Sequence, residues 1–196
     1  GYIKLSRFSQ TTADEFEEAL IKLQEEGMEQ LILDLSGNGG GYLRIAVELA
    51  DHFLGDKRQI VYTEGDYRDK VEYKATDSHF LKGVELLVMI NSWSASASEI
   101  VSGAIQDNDR GIILGRRSFG KGLVQEEFNF PDNSGVRITT ARYYTPSGRS
   151  IQKPYNNGTE SYFHDIYNRL SAGQLSNVDS TEFPDSLKFE TEKGSV

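Results

Sequence analysis

The stretch Asn91-Ser92-Trp93-Ser94-Ala95-Ser96-Ala97-Ser98-Glu99-Ile100 carries four hydroxyls, three of them, on Ser94, Ser96 and Ser98, alternating at the mouth of an apolar helical run. Further on, Phe119-Gly120-Lys121-Gly122 sets an amine between two glycines. No histidine lies near either in sequence, so the pairing points to a hydrolase in which a serine attacks and a lysine takes its proton. A lysine does this only when its proton is held weakly. Moving its pKa from about 10.4 to ~7–8 requires burial and the absence of a carboxylate partner. Gln125, four residues on, can accept a hydrogen bond from the amine without adding a charge. The cluster Gly37-Asn38-Gly39-Gly40-Gly41 offers backbone amides to a developing oxyanion.

Each feature also has a purely structural reading. Ser96-Ala97-Ser98-Glu99 fits a capping box, in which the hydroxyl and Glu99 satisfy helix-terminal amides. Ser94 and Ser98 compete with Ser96 as nucleophile, and spacing does not separate them. The glycine cluster fits an ordinary turn, Lys121 a solvated turn lysine and Gln125 an exposed strand residue. Gly115 to Lys121 matches the phosphate-loop pattern G-x-x-x-x-G-K. However, Gly122 follows in place of a hydroxyl, and the chain continues as the strand-like Leu123–Phe130, which argues against phosphate binding. His52, His79 and His164 lack metal-ligand spacing, and Asp34 and Glu48 read as packing and solvation residues.

The elements that must position this chemistry follow from periodicity. Residues Tyr2–Phe8 read as a strand and Thr12–Glu26 as a helix, with Phe16, Ala19, Leu20 and Leu23 on one face. Gln30–Leu35 is an apolar strand that runs into the glycine cluster, after which Ala46, Leu49, Ala50 and Phe53 mark a helix. Glu85–Asn91 and Ser96–Gln106 repeat that strand–turn–helix unit, which predicts a parallel, crossover-connected sheet. Arg58–Tyr73 reads as a hairpin, and Val124–Phe130 and Gly135–Tyr144 as antiparallel strands. A helix from Ser96 to residue 107 travels ~16 Å at about 1.5 Å per residue. The strand Gly111–Gly115 returns ~16 Å at about 3.3 Å per residue, bringing the Arg116–Lys121 loop back beside Ser96. Loops leaving the carboxyl ends of parallel strands share an edge, so the glycine, serine and lysine loops should meet in one crevice.

At 196 residues and 37% apolar content the chain supports one main domain, read as residues 1–155. From Asn156 to Val196 it holds seven acidic and three basic residues, predicting a loosely packed tail with a helix at Glu160–Leu170. The net charge of −9 and scattered basic residues exclude a nucleic-acid footprint. There is no cysteine, which excludes disulfides and thiolate metal sites and permits export. The chain starts at Gly1 without an initiator Met or apolar leader, predicting that the natural start lies upstream.

Five ordered blocks, Gly1–Ser9, Leu31–Leu35 with Asn38 and Gly40-Gly41, Ser94–Asp107, Ser118–Gln125 and Thr139–Gln152, resemble the carboxyl-terminal processing, or tail-specific, proteases of the S41 serine peptidase group. The resemblance implies a ClpP/crotonase-like α/β core of parallel strands and helices with an added antiparallel portion. It implies Ser96 as nucleophile, Lys121 as general base and Gln125 as the residue that positions the lysine. The oxyanion hole would come from the amides of Ala97 and of Gly40 or Gly41, with no cofactor. Where the family reads Arg-Asn-Asn-Pro before the paired glycines, this chain reads Ser36-Gly37-Asn38-Gly39, a more mobile loop. The family's PDZ domain would precede Gly1 and a further strand segment would follow the end of the chain. The implied activity is an endopeptidase cutting exported proteins near flexible C-terminal tails. The implied setting is periplasmic or otherwise extracytoplasmic, with anchoring through a missing N-terminal segment and a homo-oligomer left open. The rivals are a non-catalytic peptide-binding module that retains the fold and a crotonase-like acyl-CoA enzyme, for which no CoA contacts can be located.

Overall fold

The computed structural model describes residues 1–76, 81, 83–155, 158–173, 185 and 188–195. His79 and residues 156, 157, 174–184, 186, 187 and 196 of the acidic tail fall outside that set. In the first half, alternating apolar residues build a four-stranded parallel sheet from β1 (Tyr2–Lys4), β2 (Gln30–Asp34), β5 (Glu85–Ile90) and β6 (Ile112–Gly115), in the order β1-β2-β5-β6. Leu31 and Leu33 point into the core while Ile32 between them is exposed, as the two-residue strand repeat requires. Helices α1 (Thr12–Glu25), α2 (Leu43–Asp51) and α3 (Ala97–Asp107) supply the other side of this core through Phe16, Leu20, Leu49, Ile100 and Ile105. His52 is buried with its ring edge-on to Phe16, a core histidine.

The second sheet is antiparallel, with order β4-β3-β8-β7, from β3 (Gln59–Gly65), β4 (Arg68–Lys74), β7 (Leu123–Asn129) and β8 (Gly135–Tyr144). Together the two sheets make the mixed α/β architecture that periodicity predicts. Asp107, at the end of α3, fastens the chain leaving β8 by accepting Ser147 N and Ser147 Oγ at 3.0 and 2.6 Å. A last helix, α4 (Gly158–Ser171), buries Tyr162 and Arg169.

The first strand is shorter than the apolar run predicts. Leu5 N still bonds Asp34 O, but the chain then leaves the sheet and only Phe8 returns, in a bridge to Gly41. The departure makes room for the glycine loop, which docks on the Arg7–Phe8 segment. Parallel pairing puts the exits of β2, β5 and β6 on one edge, so three loops of unrelated sequence reach the same place.

Candidate active site

The serine loop is built from hydroxyls that cap and tie it. Ser94 Oγ donates to Leu35 O at 2.8 Å, and Ser98 Oγ donates to Asn38 O at 2.8 Å, both fully buried. Ser96 between them is half-buried and lines the cleft. Packing thus separates three serines that spacing cannot, because two are committed to carbonyls of the neighbouring loop and one faces solvent. Ser96 also holds φ +57° and ψ −113°, a backbone region that L-residues avoid at a cost of about 1–3 kcal/mol. The strain sits at the last residue of the loop between β5 and α3, immediately before the helix, and the Ser96 side chain lines the cleft, an arrangement like that of nucleophile elbows.

The glycine loop fits against this elbow. Asp34 begins it, accepting Ser36 N at 2.8 Å and the Tyr2 hydroxyl at 2.7 Å. Asn38 is fully buried and pins it, with Nδ2 donating to Leu5 O and Oδ1 accepting Gly40 N, both at 2.9 Å. Asn38 O in turn accepts Ala95 N at 3.0 Å. Gly40 has φ +97°, and a Cβ there would lie 2.7 Å from both Ala95 O and Ser96 Cβ. Gly41, at φ +153°, presses on Phe8 O. Only glycines allow this approach. Gly40's amide is therefore engaged, whereas the amides of Gly41 and Ala97 donate to no protein acceptor among the described residues.

Lys121 arrives on the loop after β6. Phe119 N donates to Ser94 O at 2.9 Å, while Gly120 N and Lys121 N donate to the Glu99 carboxylate at 2.6 and 2.9 Å. The same carboxylate accepts Ser96 N at 2.8 Å. Glu99 is 5% exposed, so one buried side chain holds the backbone of both the serine and the lysine. The sequence signals only the local half of this arrangement, the Ser96-x-x-Glu99 capping box; the bonds to the lysine loop span 21 and 22 residues. Gln125 follows on β7, where the register with β8 shifts between Val124 and Gln125, a bulge that re-aims side chains.

Ser96, Lys121, Gln125 and Gly41 all line one cleft of about 710 Å³, with Arg7 and Tyr42 on its rim. Ala97 is buried behind Ser96 at the start of α3. The cleft is open. Lys121 and Gln125 are exposed rather than buried, and no hydrogen bond joins Ser96 Oγ to Lys121 Nζ. Among the described residues Lys121 makes no ion pair. The burial predicted for a lysine base is absent because its loop forms the cleft's free wall.

Burial pushes the Glu99 carboxyl above its ordinary value of 4.5, against hydrogen bonds from Ser118, Lys121, Ser96 and Gly120 that favour the anion. A carboxyl raised in the folded state stabilises most below the ordinary value, and that contribution is lost as pH rises through the raised one. Relative to Glu99→Gln, the wild type should therefore gain melting temperature on going from about pH 8 to about pH 4.5. Paired thermal melts check this, and a difference that stays constant or shrinks in acid contradicts it. The glutamine variant should also lose about tenfold in kcat, since its NH2 opposes a backbone N–H whichever way it turns and displaces the loop.

Among the described residues no helix is long and apolar enough to cross a membrane. A family model described as Peptidase family S41 matches residues 1–160. The carboxyl-terminal-processing protease of Picosynechococcus sp. is 40% identical over 153 residues, 78% of this chain and 36% of that protein. The chloroplastic C-terminal processing peptidase of Tetradesmus obliquus is 37% identical, over 78% of this chain and 33% of that protein. Among solved structures, a photosystem II D1 C-terminal processing protease superposes with TM-score 0.71 at 37% identity, covering 78% of this chain and 39% of that one. The chain thus spans about a third of the length of the curated relatives it matches.

Proposed function

The chain belongs to peptidase family S41, and from that premise we propose that it is the catalytic core of a serine endopeptidase whose nucleophile is Ser96 and whose general base is Lys121. The observation that carries the proposal is the convergence on one cleft of Ser96, the one of Ser94, Ser96 and Ser98 whose hydroxyl is not donated to the neighbouring loop, and of an amine that makes no ion pair among the described residues. In the proposed reaction a peptide lies along the cleft and its carbonyl carbon approaches Ser96 Oγ. Neutral Lys121 takes the hydroxyl proton as the C–O bond forms, and the oxyanion is held by the free amides of Ala97 and Gly41. Collapse of the intermediate expels the amine with the lysine's proton, leaving an acyl-serine. Water activated by the same lysine then resolves it.

The open cleft fits a base that completes its contact only when substrate covers it. A peptide over Lys121 would exclude water and favour the neutral amine. Gln125, on the adjoining strand, is the polar side chain available to orient it. Gly41 replaces the two-way choice of oxyanion glycine because Gly40's amide is already bonded to Asn38.

Relatives carrying processing names, one of them chloroplastic, support cleavage near the carboxyl termini of proteins outside the cytoplasm. A PDZ domain elsewhere in the full protein would present those tails. The rival, a peptide-binding module without catalysis, draws on the unbonded Ser96 and Lys121. A serine-reactive fluorophosphonate separates the two: mass spectrometry should find one adduct, on Ser96. A protein left unlabelled at millimolar probe and alkaline pH would be the binding module.

A further inference from the structure

The lysine loop has no regular secondary structure between Gly115 and Leu123, so its shape depends on who bonds its backbone. Its amides face the core. Phe119 N goes to Ser94 O, Gly120 N and Lys121 N to Glu99, and Gly122 N to Gln152 Oε1 at 3.0 Å. The carbonyls of Arg117, Ser118 and Gly120 face the chain that follows Gln152. Arg169 Nη2 and Nη1 donate to Arg117 O and Ser118 O at 2.8 and 3.3 Å, Lys153 N donates to Gly120 O at 3.1 Å, and Tyr162 Oη donates to the same carbonyl at 3.4 Å.

This outer layer is packed, not draped. Arg169 is 6% and Tyr162 5% exposed. The Lys153 ammonium lies 4.3 Å from the ring centres of both Phe119 and Tyr162, and 3.3 Å from Asp165. Phe119 meets Tyr162 edge to face, and Tyr155 stacks on Tyr162 at 4.2 Å. An aromatic cluster and a buried guanidinium thus clamp the loop from outside while Glu99 clamps it from inside. Tyr162 and Arg169 of the outer clamp come from α4, most of which lies beyond residue 160, where the family match ends.

We propose that α4 is a brace that positions the general base, with Arg169, acting through the carbonyls of Arg117 and Ser118, setting where Lys121 stands relative to Ser96. Arg169 is a positioning residue and does not touch substrate. The inference rests on the Ser96 and Lys121 reading given above. Without the brace the carbonyls of Arg117 and Ser118 would turn to water while Gly120 O kept Lys153 N, so the loop would loosen while both sheets stayed intact. Rate would fall through misplacement of the amine, with binding little changed.

The test is steady-state kinetics, fluorophosphonate labelling and amide hydrogen exchange on the wild type, Arg169→Ala, Arg169→Lys and Tyr162→Phe. For Arg169→Ala we expect kcat about 10- to 100-fold lower with KM within about twofold, slower labelling, and faster exchange at Phe119, Gly120 and Lys121. Arg169→Lys, which still offers a charged donor to the carbonyls, should recover most of the loss. Tyr162→Phe removes one hydroxyl and no volume, and carries the test if Arg169→Ala does not fold. It should lower kcat about threefold at constant KM and speed exchange at Lys121. Variants with wild-type kcat and wild-type exchange at these amides, in a protein that labels at Ser96, overturn the brace alone. A wild type that takes no label overturns the dyad reading and the brace with it.

Discussion

Ser96→Ala is expected to lower kcat on the order of 10⁴- to 10⁶-fold, the loss typical of removing a serine nucleophile, while leaving the fold and peptide affinity in place. The flanking serines make the control sharp. Ser94→Ala and Ser98→Ala should keep substantial turnover. Each loses a buried bond to Leu35 O or Asn38 O and should be less stable by about 1–2 kcal/mol, or roughly 2–8 °C in melting temperature for a chain of this size. Ser96→Gly should be equally inactive yet melt above Ser96→Ala, because glycine relieves the strain at φ +57°. Peptide-cleavage assays beside thermal melts give the pattern. Wild-type rates in Ser96→Ala, or loss of turnover confined to Ser94→Ala or Ser98→Ala, would remove Ser96 from the nucleophile's role.

Lys121→Ala and Lys121→Arg should both fall by about 10³-fold or more. The arginine variant is the more telling. It keeps the positive charge at the cleft wall, but a guanidinium does not give up its proton in a protein. If Lys121 served by attracting a substrate carboxylate, arginine would substitute for it; as a base, it cannot. The wild-type rate should climb with pH as the neutral amine becomes populated, and a flat profile over about pH 6 to 10 would count against an amine base. Measuring kcat and KM separately matters here, since removal of a proton acceptor lowers kcat whereas removal of a binding charge raises KM.

How far each residue's role can be read from the chain follows from the range over which its contacts act. The strand–turn–helix units and the meeting of the serine and lysine loops were legible. Apolar alternation and rise per residue are local quantities. The family resemblance, carried by five blocks in order, singled out Ser96 among its neighbours where spacing left three serines equal.

Other features were not legible, for one physical reason: they depend on which distant atom receives a hydrogen bond. Ser94 and Ser98 are tied to carbonyls 59 and 60 residues away. Glu99 reads as a helix cap until the lysine loop returns to it. The tail after Asn156 has the composition of a loosely packed segment, yet Tyr162 and Arg169 are buried against the lysine loop, because a few long amphipathic side chains can clamp a backbone without an apolar run to announce them. Local sequence pattern therefore chose the elements and the candidate groups, whereas the hydrogen bonds that tie Ser94, Ser98 and Glu99 into the scaffold came only with the fold, where nearly every buried donor finds an acceptor.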